Sequence, residues 1–408
     1  MSDPSAPKPR PTAFDFDEAR RIVIETVRPF IRELKTEHVA LTYAHGRVLA
    51  EAICAARDYP ALERSLRDGY AVQAKDVPGT LLVRGEVRAG DEEQSPLSSG
   101  QALEIMTGAP VPIGADAVVM IEHVTRSGDR VKIDRPADKD QFINKRGAEA
   151  KLGEVLIPAR TKLDASHISV LAAEGRTNIQ VVAKPRVAIL ATGDEIVALD
   201  QSPAPHQIRN SNSYMLAALV RAAGGDATIL PVAVDIKDAL LALLAQGLTY
   251  DLLLVTGGVS AGKYDLVKPA LRELGVEFHF ERVRIQPGQP TAFGTSNRKP
   301  VFGLPGNPGS SLITFQLFAR PALELLAGIS DISLPLLSAR FEAPFRHKGG
   351  LTRFLPARLN EDGQQLRHIP WQGSSDIPAL AKANCFLVAD HDRESWAAGD
   401  SIRVMMKI

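Results

Sequence analysis

Cysteine is scarce in this chain, and histidine is thinly spread. The 408 residues include two cysteines, Cys54 and Cys385, and nine histidines without clustering. Neither a disulfide framework nor a C-x-x-C metal pair can be built from them. A zinc or iron centre is therefore not expected.

The sequence also lacks an excess of one charge and a long apolar run. Lys+Arg and Asp+Glu are both 48, so bulk charge recruits neither nucleic acid nor an acidic membrane. The longest aliphatic stretch, "ALLALLA" at 239–245, is too short to span a bilayer. The polar, Pro-rich start "MSDPSAPKPRPTA" has no apolar core of the kind that signal peptides carry. We expect a cytoplasmic protein that contacts neither nucleic acid nor membrane.

The residue pattern changes several times along the chain, and these changes predict several domains. Residues 1–13 read as a disordered tail. Helical periodicity is expected in "DFDEARRIVIETVRPFI", in "TYAHGRVLAEAI" and again in "DASHISVLAAEG". Short β-branched runs separated by turn residues fill 57–147 and predict an inserted β domain. The predicted ranges are 14–56 with 148–184 (helical), 57–147 (inserted β), 185–328 (α/β) and 329–408 (β).

Strands and helices alternate from 185 to 328, which predicts a parallel-rich sheet with helices on both faces. Ligands bind such sheets beyond the carboxyl ends of the strands. Three loops should meet there: "ATGDEI" (191–196), "TGGVSAGKYD" (256–265) and "GLPGNPGS" (303–310). Each has small residues that let backbone N–H groups approach an anion, and the first two carry acids that suit Mg²⁺.

The middle loop nearly matches a P-loop. Gly257, Gly262 and Lys263 fit G-x-x-x-x-G-K, but Tyr264 stands where the motif needs a Ser or Thr hydroxyl. Each loop alone also has a plain structural explanation: an acidic helix N-cap for the first two loops and a tight strand-to-helix connection for the third. The β insert adds Asp68 in "SLRDGYAV" and Thr107 in "IMTGAPVPIGADAVVM", which alone read as turn residues.

Taken in order, "DGYAV", "IMTGAPVPIGADAVVM", "ATGDEI", "TGGVSAGKYD" and "GLPGNPGS" resemble one family, the molybdopterin molybdenumtransferases. The C-terminal part of gephyrin is an animal relative. The resemblance covers the chain from about residue 14. It implies a three-layer α/β molybdopterin-binding domain, an inserted β domain, an extended helical domain that dimerises and a C-terminal β-barrel. It also implies that adenylylated molybdopterin and molybdate react with Mg²⁺, releasing AMP, and that dithiolene sulfurs bind the molybdenum.

The resemblance assigns roles residue by residue. Catalytic roles are implied for Asp68, Thr107, Glu195 and Asp265, and Mg²⁺ binding for Glu195, Asp235 and Asp265. Substrate binding is implied for Gly257, Gly258, Ser260, Arg282, Gln286, Gln289, Pro305 and Pro308. Asp68 would come from the partner subunit of a homodimer. A molybdopterin adenylyltransferase and molybdoenzymes are implied as further partners.

Two departures from the family pattern keep alternatives open. "KRGAEA" (145–150) replaces a more acidic R-R-G-E-D-I, and "QPGQP" (286–290) replaces K-P-G-K-P. Gln286 and Gln289 lack the point charge of a lysine. The alternatives are a non-catalytic or divergent paralogue that binds such ligands or another oxyanion, a molybdopterin adenylyltransferase, and a P-loop NTPase. The loop sequence Val259-Ser260 and the two β domains argue against the adenylyltransferase.

Overall fold

The structure is a computed structural model that describes residues 13–92, 96–234, 236–259 and 266–407, without the side chains of residues 32 and 33. Asp235, Ser260 and Asp265 lie outside the described residues. The described chain separates into two compact units. The large unit comprises the described residues of Met1–Val39, Ala44–Ala50 and Gln180–Ile408, and the small unit comprises Ala40–Tyr43 and Glu51–Ile179.

The helices and strands of the described residues are as follows. The α-helices are α1 (Phe16–Val27), α2 (Ala165–Ala173), α3 (Ser211–Ala222), α4 (Lys237–Gly247), α5 (Val267–Glu273), α6 (Pro308–Thr314), α7 (Arg320–Leu326) and α8 (Ile377–Lys382). The strands are β1 (Thr36–Ala40), β2 (Ile53–Cys54), β3 (Arg64–Ser65), β4 (Gly69–Val72), β5 (Gly79–Val87), β6 (Gln101–Ile105), β7 (Ala117–Met120), β8 (Val124–Ser127), β9 (Arg130–Ile133), β10 (Ile143–Asn144), β11 (Val155–Ile157), β12 (Asn178–Val182), β13 (Arg186–Ala191), β14 (Ile196–Val197), β15 (Ile208–Arg209), β16 (Asp226–Ile229), β17 (Leu252–Thr256), β18 (Glu277–Phe280), β19 (Ile285–Gln286), β20 (Ala292–Ser296), β21 (Lys299–Leu304), β22 (Leu336–Phe341), β23 (Phe345–Arg346), β24 (Thr352–Leu359), β25 (Gln365–His368), β26 (Cys385–Ala389), β27 (Ser395–Trp396) and β28 (Ser401–Met406). Short 3-10 turns cover Arg28–Glu33, Leu41–Tyr43, Ala74–Asp76 and Ile121–His123, and a π-turn at Phe315–Ala319 joins α6 to α7.

The α/β part of the large unit is a six-stranded sheet in the order β16-β13-β17-β21-β20-β18. The first four strands are parallel, β20 runs antiparallel to them, and the edge strand β18 pairs antiparallel with β20. Alternate residues of β13 pack on opposite faces, as the period of two in a strand requires. Ile189 joins a core with α1, α3 and α7, whereas Leu190 joins a core with α4 and α5. The predicted three-layer arrangement is confirmed.

The last part of the large unit is a closed barrel of five strands, because β24, β25, β22, β28 and β26 pair in a ring that β26 closes onto β24. Strand β19, from the α/β part, adds to this barrel by pairing in parallel with β24. The predicted C-terminal β-barrel is thus confirmed. In the small unit, six strands form a sheet in the order β7-β4-β6-β5-β9-β8, as expected for the inserted β domain.

The helix predicted in "TYAHGRVLAEAI" is wrong. Only a 3-10 turn forms at Leu41–Tyr43, and Gly46 takes a φ of 75°, outside the right-handed helical region. Val48 and Ala50 then make strand-like backbone hydrogen bonds, Val182 donating to Val48 O and Ala50 donating to Gln180 O. Tertiary pairing therefore overrode the apolar periodicity of this stretch.

Helix α1 begins where the periodicity predicts and buries Phe16, Ala19, Val23 and Val27 on one face. The backbone tightens into a 3-10 turn at Arg28, next to Pro29. Its buried face packs against α7 in the large unit.

The predicted domain boundaries stay predictions.

Candidate functional site

The three loops that the sequence singled out leave the sheet at one level. Ala191, Thr256 and Leu304 lie opposite one another at the ends of β13, β17 and β21. Beyond them the N–H of Thr192 donates to Thr256 O at 3.1 Å, and the N–H of Gly257 donates to Leu304 O at 3.1 Å. Backbone hydrogen bonds thus hold the loops together at the carboxyl edge of the sheet.

A cleft of about 510 Å³ opens between these loops and the first residues of α3 and α6. Five of the residues that the sequence singled out line it: Glu195, Gly257, Gly258, Pro305 and Pro308. The cleft lies where ligands bind in open α/β sheets. Its volume is in the range of sites for small molecules.

Gly257 is required by the close approach of two loops. Its φ is 91°, and a Cβ added there would lie 2.6 Å from the carbonyl oxygen of Thr192. Gly258 follows with a φ of 61°. Any side chain at 257 would therefore push the first loop away from the second.

A chain of side-chain hydrogen bonds ties the second and third loops to α3. Asn212 Nδ2 donates to Thr256 Oγ1 at 2.9 Å and to the carbonyl oxygen of Gly306 at 2.6 Å. Ser311 Oγ donates to Pro305 O at 2.6 Å and lies 3.1 Å from Thr256 Oγ1. These contacts fix the Pro305–Pro308 loop relative to Thr256.

Oxygen atoms dominate the chemistry of the first loop. A Cβ at Gly193 would lie 2.5 Å from Glu195 Oε2, so the carboxylate folds back over that glycine. Thr192 Oγ1 is buried and has no hydrogen-bond partner within the described part of the chain. Glu195 and Arg209 are the charged side chains among the described lining residues. A carboxylate beside hydroxyl and carbonyl oxygens fits a hard cation such as Mg²⁺.

Asp68 and Thr107, which the sequence noted in separate motifs, meet in the small unit. Asp68 Oδ1 accepts from the backbone N–H of Thr107 at 2.6 Å and from its hydroxyl at 2.8 Å. The backbone N–H first, and then the hydroxyl, lower the pKa of the exposed Asp68 carboxyl below its ordinary value. The residue after Asp68 must be glycine, because a Cβ at Gly69 would lie 1.9 Å from the carbonyl oxygen of Val119 on the neighbouring strand β7.

Comparisons with known proteins identify the family. The model of the MoeA N-terminal region (domain I and II) matches residues 14–175, that of the probable molybdopterin binding domain matches 188–325, and that of the MoeA C-terminal region (domain IV) matches 338–406. A molybdopterin molybdenumtransferase from Nostoc is 36% identical over 342 residues, which cover 80% of this chain and 78% of the relative. The chain belongs to the molybdopterin molybdenumtransferase family. The family predicted from the five motifs is confirmed, and with it membership of an enzyme family.

Further similarities extend over nearly the whole chain. A molybdopterin molybdenumtransferase from Staphylococcus aureus is 30% identical over 378 residues, 90% of each chain. The crystal structure of a molybdopterin biosynthesis MoeA protein from Pyrococcus horikoshii superposes with a TM-score of 0.81 at 29% identity, covering 97% of this chain and all of that one. The fold class predicted from the sequence is that of the family.

The "QPGQP" segment of this chain lies largely beside the cleft. Pro290 lines it, whereas Arg282, Gln286 and Gln289 are not among its lining residues. Gln286 lies in β19, in register with Arg353 of the barrel strand β24. Arg282 and Gln286 are exposed, and Gln289 is half-buried. The structure thus places Gln286 at the border of the α/β part and the barrel.

The barrel also touches the third loop, which the sequence did not predict. The N–H of Gly309 donates to Ser374 O at 2.7 Å, and Asn307 Nδ2 lies 2.9 Å from Ser374 Oγ. The sequence analysis did not single out Asn212 either, although its amide joins the second and third loops. Asn210 does cap α3, accepting from the N–H of Ser213. The unusual pair of asparagines was the available signal for a second role.

One of the three predicted metal ligands lies among the described residues. Glu195 lines the cleft, whereas Asp235 and Asp265 lie outside the described residues, as does Ser260. Across the described ranges, no three His, Cys, Asp or Glu side chains gather as a metal cluster would. No helix within those ranges combines the length and the apolar character needed to cross a bilayer.

Proposed function

We propose that this chain inserts molybdenum from molybdate into adenylylated molybdopterin and releases AMP. The observation that carries the proposal is the cleft, in which Glu195, Gly257, Gly258, Pro305 and Pro308 meet in a member of this family. In the proposed reaction water cleaves the bond between the adenylyl phosphorus and its bridging oxygen. AMP leaves, and the two dithiolene sulfurs displace two molybdate oxygens, which depart as water after taking up protons.

We propose that Glu195, with Asp235 and Asp265, holds Mg²⁺. Bound there, Mg²⁺ would neutralise negative charge on the phosphates during cleavage. The oxygen donors of the first loop support this assignment, since Mg²⁺ prefers carboxylate and other oxygen ligands. Gly257 and Gly258 would let the backbone approach the phosphate, and the rigid Pro305–Pro308 loop would orient the ligand.

We further propose that the active form is a homodimer in which Asp68 and Thr107 of one subunit complete the partner's cleft. The hydrogen bonds from Thr107 keep Asp68 ionised and fixed in direction, which suits a carboxylate that acts near a metal or phosphate. A cytoplasmic location, and docking to a molybdopterin adenylyltransferase and to molybdoenzymes, remain proposals that follow from the family.

The test is AMP release from purified dimer mixed with adenylylated molybdopterin, molybdate and Mg²⁺. Asp265→Asn and Glu195→Gln should each abolish Mg²⁺-dependent turnover, because an amide binds a hard cation poorly. Asp226→Asn is the matched control, since Asp226 is exposed at the start of β16, at the opposite edge of the sheet. Near-normal turnover in either site variant would contradict the metal role.

A second function is kept open by the "QPGQP" and "KRGAEA" departures. They fit a paralogue that binds a molybdopterin-type ligand or another oxyanion without catalysing insertion. A folded wild-type dimer that releases no AMP above background, yet binds the ligand in a calorimetric titration, would favour this second function.

A further inference from the structure

A short ribbon of two strands borders the cleft. Its strands β14 and β15 pair in parallel, with Ile196 opposite Ile208 and Val197 opposite Arg209. Opposite side chains on paired strands leave on the same face, and the next pair leaves on the other face. Ile196 and Ile208 both line the cleft, whereas Val197 does not. The face that carries the two isoleucines is therefore the one turned to the cleft.

The surface that this face offers is hydrocarbon. Ile208 is 58% exposed, a fraction that belongs mainly to its side chain. Its backbone N–H is already used, because it donates to Glu195 O at 2.8 Å. The N–H of the half-buried Ile196 donates to Gly193 O at 3.2 Å. A molecule in the cleft thus meets two adjacent aliphatic side chains here, which we call the isoleucine wall.

Backbone and side-chain hydrogen bonds hold the ribbon in place without a ligand. Arg209, which also borders the cleft, donates from Nε to Leu199 O at 3.1 Å. The N–H of Asn210 donates to Val197 O at 3.0 Å, and Asn210 also caps α3. The isoleucine wall is therefore preformed and attached to the start of α3, which keeps the cost of ordering it on binding low.

The isoleucine wall suits a different part of a ligand from the rest of the cleft. Single exposed isoleucines are ordinary on an open surface, but these two are adjacent, share a face and border a cleft. They offer neither charge nor a hydrogen-bond donor, so a phosphate or molybdate placed against them would lose hydration without compensation. A flat heterocyclic ring buries apolar surface there and gains from the contact.

We propose that Ile208, with Ile196 beside it, determines specificity by forming the surface on which a flat heterocyclic ring of the organic substrate lies. The phosphate groups then lie away from the ribbon, toward the backbone of Gly257 and Gly258. The identity of the substrate rests on the proposed function above. That substrate carries two such rings, the pterin and the adenine, and binding measurements separate them.

Calorimetric titrations of the wild type and Ile208→Ala test the proposal. The probes are AMP, hydroxymethylpterin monophosphate and ribose 5-phosphate, which carries a phosphate without a heterocycle. Ile208→Ala should weaken at least one of the two ring-bearing probes about 5–20-fold, since each methylene of buried contact is worth about fourfold. The titration with ribose 5-phosphate should not change. Weakening of AMP alone assigns the wall to adenine, weakening of the pterin alone assigns it to the pterin, and weakening of both shows that either ring can lie there.

Three outcomes of these titrations overturn the proposal. They are equal weakening of ribose 5-phosphate, unchanged binding of both ring-bearing probes, and failure of both to bind the wild type. The titrations need no turnover, so they stand even if the wild type releases no AMP. Failure of the proposed function and failure of the ring contact are therefore distinguishable.

Graded substitutions separate ring contact from damage to the ribbon. Ile208→Val should weaken the affected probe about 2–4-fold, and Ile208→Phe should bind it at least as tightly as the wild type, because an aromatic side chain also stacks on a heterocycle. Leu337→Ala removes an exposed apolar side chain from β22 of the barrel and should leave every titration unchanged. If Ile208→Phe binds as weakly as Ile208→Ala, the side chain only shapes the ribbon and the proposal fails.

Steady-state kinetics of Ile208→Ala give a second readout. The KM for adenylylated molybdopterin should rise about 5–20-fold. The Mg²⁺ concentration for half-maximal activity should stay within about twofold of wild type, because the substitution leaves the backbone bond from Ile208 to Glu195 in place. A parallel rise in the Mg²⁺ requirement would show that the ribbon has moved together with Glu195, and it would overturn the proposal.

Discussion

Replacing Gly257 by alanine tests whether the first two loops are packed as tightly as the structure shows. The added Cβ would lie 2.6 Å from Thr192 O and 3.2 Å from Thr192 Oγ1. The backbone at 257 also has a φ of 91°, which L-residues avoid. The substitution therefore combines a conformational penalty with an overlap against backbone, which cannot swing away as a side chain can.

The two contributions can be separated with a matched control. Gly275, after α5, has a φ of 80° and open space around its Cβ position, so Gly275→Ala carries the conformational penalty alone. That penalty is about 1–2 kcal/mol. Overlap in a packed region adds about 1–3 kcal/mol. The free energy of unfolding should thus fall by about 2–5 kcal/mol in Gly257→Ala, more than in the control.

Equilibrium unfolding in guanidinium chloride, followed by tryptophan fluorescence, measures the difference. Both tryptophans of the chain, Trp371 and Trp396, lie in the large unit, which also contains Gly257 and Gly275. The signal therefore reports the relevant unit. Equal destabilisation of the two variants would refute the argument, because it would leave no contribution from contact between the loops.

Three further predictions concern other regions. Thr107→Val should return the lowered pKa of Asp68 part of the way to its ordinary value, because one of two donors is lost; an unmoved carboxyl titration by NMR would contradict this. Burial lowers the pKa of His368, so the barrel should lose stability as pH falls below about 6.5, and His368→Phe should flatten this slope in unfolding measurements between pH 7 and 5. Gln286→Lys and Gln289→Lys should each lower the Kd for molybdate in calorimetry, and unchanged values would place both residues away from the anion.

The α/β part of the fold was the most predictable from sequence. The alternation of strands and helices predicted from 185 to 328 is present, because local propensity and burial agree there. The helix predicted after residue 41 is wrong for the opposite reason, because local pattern and tertiary pairing disagree there. Its apolar spacing fits a helix, but Val48 and Leu49 are buried beside the chain near 181, a partner that no local pattern reveals.

The site was predictable wherever a motif follows a strand. The register of Ala191, Thr256 and Leu304 explains why three loops far apart in sequence meet. The contact of Asp68 with Thr107 joins two motifs whose proximity the sequence did not reveal. Asn212 and Ser374 escaped detection because an asparagine near a helix start, or a serine in a loop, has an ordinary structural explanation.

The position of Gln286 bears on the expectation that this family usually has lysine there. Gln286 is the register partner of Arg353 on the parallel strand β24, so the two side chains leave the same face of the sheet. A lysine at 286 would place two cations side by side, which is unfavourable unless an anion lies between them. Glutamine removes that repulsion and leaves Arg353 as the cation of the pair. Gln286→Lys should therefore destabilise the protein without ligand, and added molybdate should restore the stability. A variant whose stability does not respond to molybdate would show that no anion binds between the two residues.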